Sequence, residues 1–186
     1  MLTIKTNIRK FVTILEKETK LQNKALVAAL NKTARQARTA ASKAIREDYN
    51  ITATDLNKKD YKSKQERLGT EKASEKKMIA KVVGRGAGLP VKYFKAKQVA
   101  SGVSFSLRKG KRKIIKSAFG PKIPRLGGNV FLRETEKRLP IKLLYTTGVA
   151  NMLGQKNVSA KTRAYISSNF SRIFTNELKF YTQFKK

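Results

Sequence analysis

Ala25-Leu-Val-Ala-Ala-Leu-Asn-Lys-Thr-Ala-Arg-Gln-Ala-Arg-Thr-Ala-Ala-Ser-Lys-Ala-Ile-Arg46 is the stretch that decides the fold. Leu26, Leu30, Thr33, Ala37, Ala40 and Ala44 recur at steps of four, three, four, three and four, the seam of an amphipathic helix. Ala25, Ala28, Ala29, Ala34, Ala37, Ala40, Ala41 and Ala44 crowd that seam and its flanks, so another backbone can approach closely along one side. At about 100° per residue, Lys20, Lys24, Lys32, Arg38, Lys43 and Arg46 all fall within about 80° of Arg35, opposite the seam. Solvated helix faces usually mix Glu with Lys to gain i,i+4 pairs, and this face has no Glu. Lys24, Lys32, Arg35, Arg38, Lys43 and Arg46 are therefore candidate contacts for a polyanion or an acidic protein.

Upstream, Leu2-Thr-Ile-Lys-Thr6 alternates as a short strand, and Asn7 caps a helix with Ile8, Val12 and Leu15 on one side. That helix continues into the alanine-rich stretch, with room for a break near 21–23, and ends at Asn50 and Ile51. Thr52 then N-caps a short turn with Asp55 at its third position. Residues 57–76 are polar, carry both signs and read as a mobile loop or arm. Short apolar runs follow at 78–83, 89–94, 99–107 and 129–133, the pattern of an antiparallel sheet. Residues 108–113, Arg-Lys-Gly-Lys-Arg-Lys, form a basic hairpin tip between two of these runs. The tail, 157–186, is helical again, with Ile166, Phe170, Ile173, Phe174, Leu178, Tyr181 and Phe184 on one broad face. Phe170, Phe174 and Tyr181 on that face are buried in the domain or form an interface with a neighbour. Glu177 falls inside the same arc and needs either an exposed edge or a cationic partner. The fold class is α+β: a long N-terminal helix packed on a small antiparallel β-sheet, with an amphipathic C-terminal helix, in one domain over 1–186.

The charge is extreme. The 186 residues hold 43 Lys and Arg against 12 Asp and Glu, a net +31. Residues 76–133 contain sixteen Lys or Arg and no carboxylate, and 19–46 contain seven with none. Such blocks repel themselves unless salt or an anionic partner intervenes. No apolar run approaches the roughly 18–20 residues that cross a membrane, and the charged N-terminus lacks a signal peptide's apolar region. A soluble, cytoplasm-made protein with anionic partners and no membrane association is expected.

Catalytic chemistry has little to work with. The chain has no Cys and no His, which excludes thiol nucleophiles, disulfides, Cys/His zinc sites and imidazole bases. Asp55 with Asp60, and Glu134 with Glu136, are the carboxylate pairs nearest to an acid–base or metal arrangement. The Gly84, Gly86, Gly88 run lacks the Gly-Lys-Ser/Thr ending of a phosphate loop. No catalytic residue, metal or cofactor is expected. Arg108, Lys109, Lys111, Arg112 and Lys113 suit phosphates rather than base edges, flanked only by Phe105 and Phe119. On composition alone, a ribosome- or nucleoid-associated protein that binds RNA or DNA phosphates without sequence specificity is the natural reading.

Several motifs in order point elsewhere. Ala29-Leu-Asn-Lys-Thr-Ala34 is followed by Gly102-Val-Ser-Phe-Ser-Leu-Arg-Lys-Gly110, then Lys116-Ser-Ala-Phe119. Gly128-Asn-Val-Phe-Leu-Arg133 and Lys137-Arg-Leu-Pro-Ile-Lys-Leu-Leu-Tyr145 complete the series. Over residues 25–153 the chain resembles the phage minor tail protein Z family, the tail-completion or neck proteins of long-tailed phages. It departs from that pattern at Thr146-Thr-Gly148, where the family continues Gly-Pro-Ser, and at Glu134-Thr-Glu136, where a basic turn is common. The resemblance implies a non-enzymatic virion component at the head-proximal end of a tail, made in the host cytoplasm. It implies a cyclic homo-oligomeric ring, a hexamer, around double-stranded DNA, between the tail terminator and the head-side connector. It also implies packing between subunits or neighbouring rings through Arg138, Leu139, Pro140, Ile141 and Tyr145.

Six copies at +31 would carry +186. A ring ~40 Å thick encloses on the order of 24 phosphates of duplex. Luminal DNA therefore cannot be the sole counter-charge. One basic surface would line the DNA path while others dock on acidic protein.

Overall fold

The computed structural model describes residues 2–3, 20–60 and 64–184. It divides into two compact units, where the sequence reads as one domain. The first gathers residues up to Ala44, Leu68–Gly84 and those from Leu153 onward, and the second Ile45–Arg67 and Arg85–Met152.

Helix α1, Lys20–Asp48, supplies the first unit with its alanine seam. Ala25, Leu26, Ala29, Leu30, Thr33, Ala34, Ala37 and Ala41 are all buried, while Ala28 and Ala40 are half-buried. The expected N-cap at Asn7 and the first turns with Ile8, Val12 and Leu15 lie outside the described residues. The C-terminal helix, Lys156–Phe184, buries Ile166, Phe170, Ile173 and Phe174 as the apolar arc requires. Two polar ties join it to α1. Tyr165 donates its hydroxyl to Gln36 Oε1 at 3.1 Å, and Lys32 Nζ reaches Glu177 Oε1 at 2.7 Å. The ties run in opposite order along the two helices, as antiparallel helices require. Glu177 thus has the cationic partner that its place in an apolar arc demands.

A three-stranded antiparallel sheet completes this unit: β1 (Leu2–Thr3), β3 (Lys81–Gly84) and β2 (Leu68–Glu71), in that order. Two sequence expectations need correcting here. The mobile loop over 57–76 contains β2, whose Leu68 is fully buried and pairs with Gly84. With one large apolar side chain in Leu-Gly-Thr-Glu, the strand has no period of its own and exists because β3 pairs with it. The run at 78–83 forms a strand only from Lys81, since Ser74 and Lys77 exchange backbone hydrogen bonds of a tight turn just before it.

The second unit begins with the turn α2, Ala53–Asn57. Asp55 N donates to Thr52 Oγ1 at 3.1 Å, and the Thr52 hydroxyl donates to Asp55 Oδ2 at 2.7 Å. A second antiparallel sheet runs β4 (Lys97–Val99), β5 (Gly102–Arg108), β6 (Lys111–Lys116), and β7 (Phe131–Arg133) pairs with β8 (Ile141–Leu143). The single strand expected at 99–107 is in fact two, broken by a turn at Ala100 and Ser101. Gly102 permits that break: its φ is +147°, and the Ile115 carbonyl oxygen fills the place a Cβ would take. The strand expected at 89–94 is a 3₁₀ turn, Val91–Tyr93, entered from Pro90. Pro90 has no N–H for a ladder, and Leu89 and Val91 instead donate singly to the carbonyls of Thr147 and Leu144. Helix α3 (Val149–Gly154) follows, and the C-terminal helix is α4.

Two consequences are measurable. Ala37→Leu inserts three carbons into a fully buried seam and should cost about 1–3 kcal/mol in chemical denaturation, whereas Ala40→Leu, half-buried, should cost much less. Burial raises the Asp55 carboxyl, but hydrogen bonds from Thr52 and Lys58 and the charges of Lys58 and Arg67 outweigh it. The group therefore sits below its ordinary 3.8 and stabilises the fold above that pH. That contribution should vanish as pH falls through the lowered value, and Asp55→Asn should remove this part of the acid dependence.

Candidate functional site

The β5–β6 hairpin brings Arg108, Lys109, Lys111, Arg112 and Lys113 together on exposed backbone, as the basic run suggests. Its base is tied to the chain that follows α1. Asn50 N donates to Leu107 O at 3.0 Å, and Lys109 N donates to Asp48 O at 3.0 Å. Ser106 Oγ accepts from Asn50 Nδ2 at 2.8 Å and lies 3.0 Å from Arg108 O and 3.1 Å from Lys111 O. The guanidinium of Arg108 stands 5.5 Å from the Tyr49 ring, and Arg112 Nη2 donates to Lys95 O at 3.3 Å. The hairpin is therefore pinned at its base, and two of its cations, Arg108 and Arg112, are held by contacts of their own. Alternation of Val103, Phe105 and Leu107 gives no sign of these anchors. Ser104 and Ser106 are buried as well, so β5 meets solvent fully only at its last residue, Arg108.

Strand β6 adds an apolar element. Arg112, Ile114 and Lys116 share one side of the strand by alternation, and Ile114 is 55% exposed. The β7–β8 loop is a second protruding element. Glu134 N donates to Pro140 O at 3.2 Å, closing a loop in which every residue from 134 to 140 is exposed. Arg138, Leu139 and Pro140 stand on it, Leu139 at 66% exposure, while Ile141 is half-buried on β8. Tyr145 is 59% exposed where its backbone bridges Pro90.

On α1, Lys24, Lys32, Arg35 and Lys43 are exposed, whereas Arg38 and Arg46 are half-buried. Of the aromatic interface candidates, Phe170 and Phe174 are corrected. They stack at 6.1 Å between centroids and are buried within the chain itself, because the arc they occupy is the core face of α4. Tyr181 is half-buried near the helix end.

Asp55 caps α2, Glu134 and Glu136 are exposed on the β7–β8 loop, and Asp60 lines a cavity of about 570 Å³ with Arg67, Leu89, Pro90 and Tyr145. Arg67 donates from Nη1 to Asp55 O at 3.1 Å and sits 5.0 Å from the Tyr93 ring. Among the described residues no group of three His, Cys, Asp or Glu could hold a metal ion. No helix among them is long and apolar enough to cross a membrane.

Ser106→Ala should leave Asn50 Nδ2 without its acceptor, at a cost of about 1–3 kcal/mol. Hydrogen exchange should rise at the amides of 107–111 well before it rises in α4.

No protein-family model, curated protein or solved structure matches the chain.

Proposed function

We propose that this chain is a structural virion protein that completes the head-proximal end of a phage tail and joins it to the DNA-filled head. In this reading it works as a ring of six copies around the DNA path, docked between the tail terminator and the head-side connector. The observation that supports it best is where the ordered motifs lie. Motif 102–110 ends at the basic turn of the β5–β6 hairpin, and motif 137–145 begins in the exposed β7–β8 loop. A chain that acts alone gains nothing from displaying Leu139 and Tyr145 beside Arg138 and Lys142, whereas a ring subunit covers them with its neighbour. The +31 charge supports anionic surroundings of both kinds, phosphate and acidic protein.

Native mass measurement and negative-stain imaging across a salt series, with and without duplex DNA and the tail-end proteins, test the reading. Closed rings, alone or on a tail-end partner, are the expected outcome. A persistent monomer that coats nucleic acid and releases it steeply with salt would overturn it in favour of the ribosome- or nucleoid-associated reading. Leu139→Asp should abolish the rings while shifting the monomer's stability by no more than about 0.5 kcal/mol, since the side chain is exposed in the single chain.

A further inference from the structure

Among the described residues, the hairpins of the second unit and helix α1 both present basic surfaces, and they differ in what accompanies the cations. On the hairpins of the second unit, Ile114, Leu139 and Tyr145 are exposed beside them. On α1 between 21 and 44 the exposed side chains are Asn23, Lys24, Lys32, Arg35, Thr39 and Lys43, with no large apolar group. Protein interfaces need an apolar centre, whereas phosphate binding needs only charge and donors.

A built feature lies on this strip. Asn31, one turn before Arg35, clasps the backbone of Ala73: its Oδ1 accepts from Ala73 N at 2.8 Å, and its Nδ2 donates to Ala73 O at 3.1 Å. The clasp sets the preceding residue, the exposed Lys72, beside α1. Asn31, Ala34, Arg35, Thr70, Glu71 and Lys72 line a cavity of about 220 Å³. Glu71, the carboxylate among them, is engaged by Lys81 Nζ at 3.7 Å. Two cations from separate elements, each on backbone held by hydrogen bonds, thus border one polar depression.

We infer that this depression binds the phosphates of duplex DNA, with Arg35 and Lys72 touching phosphate oxygens and Asn31 positioning Lys72. Arg35 presents a planar fork suited to two phosphate oxygens, and Lys72 a point charge. Lys24 and Lys43 extend the track along about 28 Å of helix. Lys32 takes no part, because Glu177 holds it at 2.7 Å. The inference rests on the ring reading only for its setting, and it assigns the basic surface of that ring that faces DNA.

The test is fluorescence anisotropy of the full chain with a labelled random-sequence duplex, from 50 to 300 mM salt, with the same samples imaged for rings. The double variant Arg35→Gln/Lys72→Gln should flatten the plot of log K against log salt by about 1.8, at ~0.9 for each phosphate no longer neutralised. Lys122→Gln/Lys156→Gln, exposed cations outside both basic surfaces, should leave the slope unchanged. Asn31→Ala should weaken binding in the natural chain but add nothing to Lys72→Gln, which a merely structural role would not produce. The inference falls if the natural chain does not bind duplex, or if the α1 variant keeps the full slope. It falls equally if that variant loses affinity for polyglutamate but not for duplex. A flattened slope, with no rings even when the tail-end proteins are added, leaves the phosphate site standing and removes the ring reading; rings with an unchanged slope do the reverse.

Discussion

Along the buried side of α1, Ala25, Ala29, Ala37 and Ala41 have no exposure at all, and Leu26 and Leu30 barely any. Methyl-sized side chains bring neighbouring backbone close to the helix axis, and a helix so approached has one side left for long cations. The tyrosine of α4 that reaches Gln36, the glutamate that reaches Lys32 and the asparagine that clasps Ala73 all work at the borders of that strip. Each depends on α1 being held at the depth the alanines permit. A larger residue at Ala37 would move the helix outward and loosen all three.

A chain at +31 also has to keep its cations from unfolding it. Several of its carboxylates serve internal ties: Asp55 with Lys58, Glu71 with Lys81, and Glu177 with Lys32. Exposed pairs of this kind contribute little stability. Their geometric effect is larger, since they order local elements and take up acid that borders the α1 strip, while the hairpin tip has no acid at all. Positive surface is concentrated where backbone hydrogen bonds hold it in place, at the base of β5–β6 and at the Asn31 clasp. Held charge attracts an extended anion more effectively than charge on a wandering loop, because less ordering remains to be done on binding.

Much of this was legible from residues alone. The alanine seam, the Thr52 cap, the basic turn of 108–113 and the apolar arc of α4 each carry their own local signal: a period, a cap spacing, a glycine in a charged run. Strand β2 was not legible, since Leu-Gly-Thr-Glu has no alternation and owes its existence to β3. The break at Ala100 and Ser101 had only the Ser101-Gly102 pair as a local sign between Val99 and Val103, and the approach of the Ile115 carbonyl shows why Gly102 must be there. Phe170 and Phe174 could have faced a neighbour on periodicity alone; burial within the chain assigns them to the core.

The sequence by itself determined the α+β composition, the sidedness of both long helices and the sign and clustering of the charge, because these depend on neighbours three or four positions away. Tertiary structure decided the rest. It placed Lys72 beside Arg35, 37 residues apart in the chain, and tied Asn50 to Ser106 across 56 residues. It left Leu139 uncovered. These are long-range outcomes, fixed by which backbone groups find partners once the chain has closed, and no local pattern of residue types encodes them.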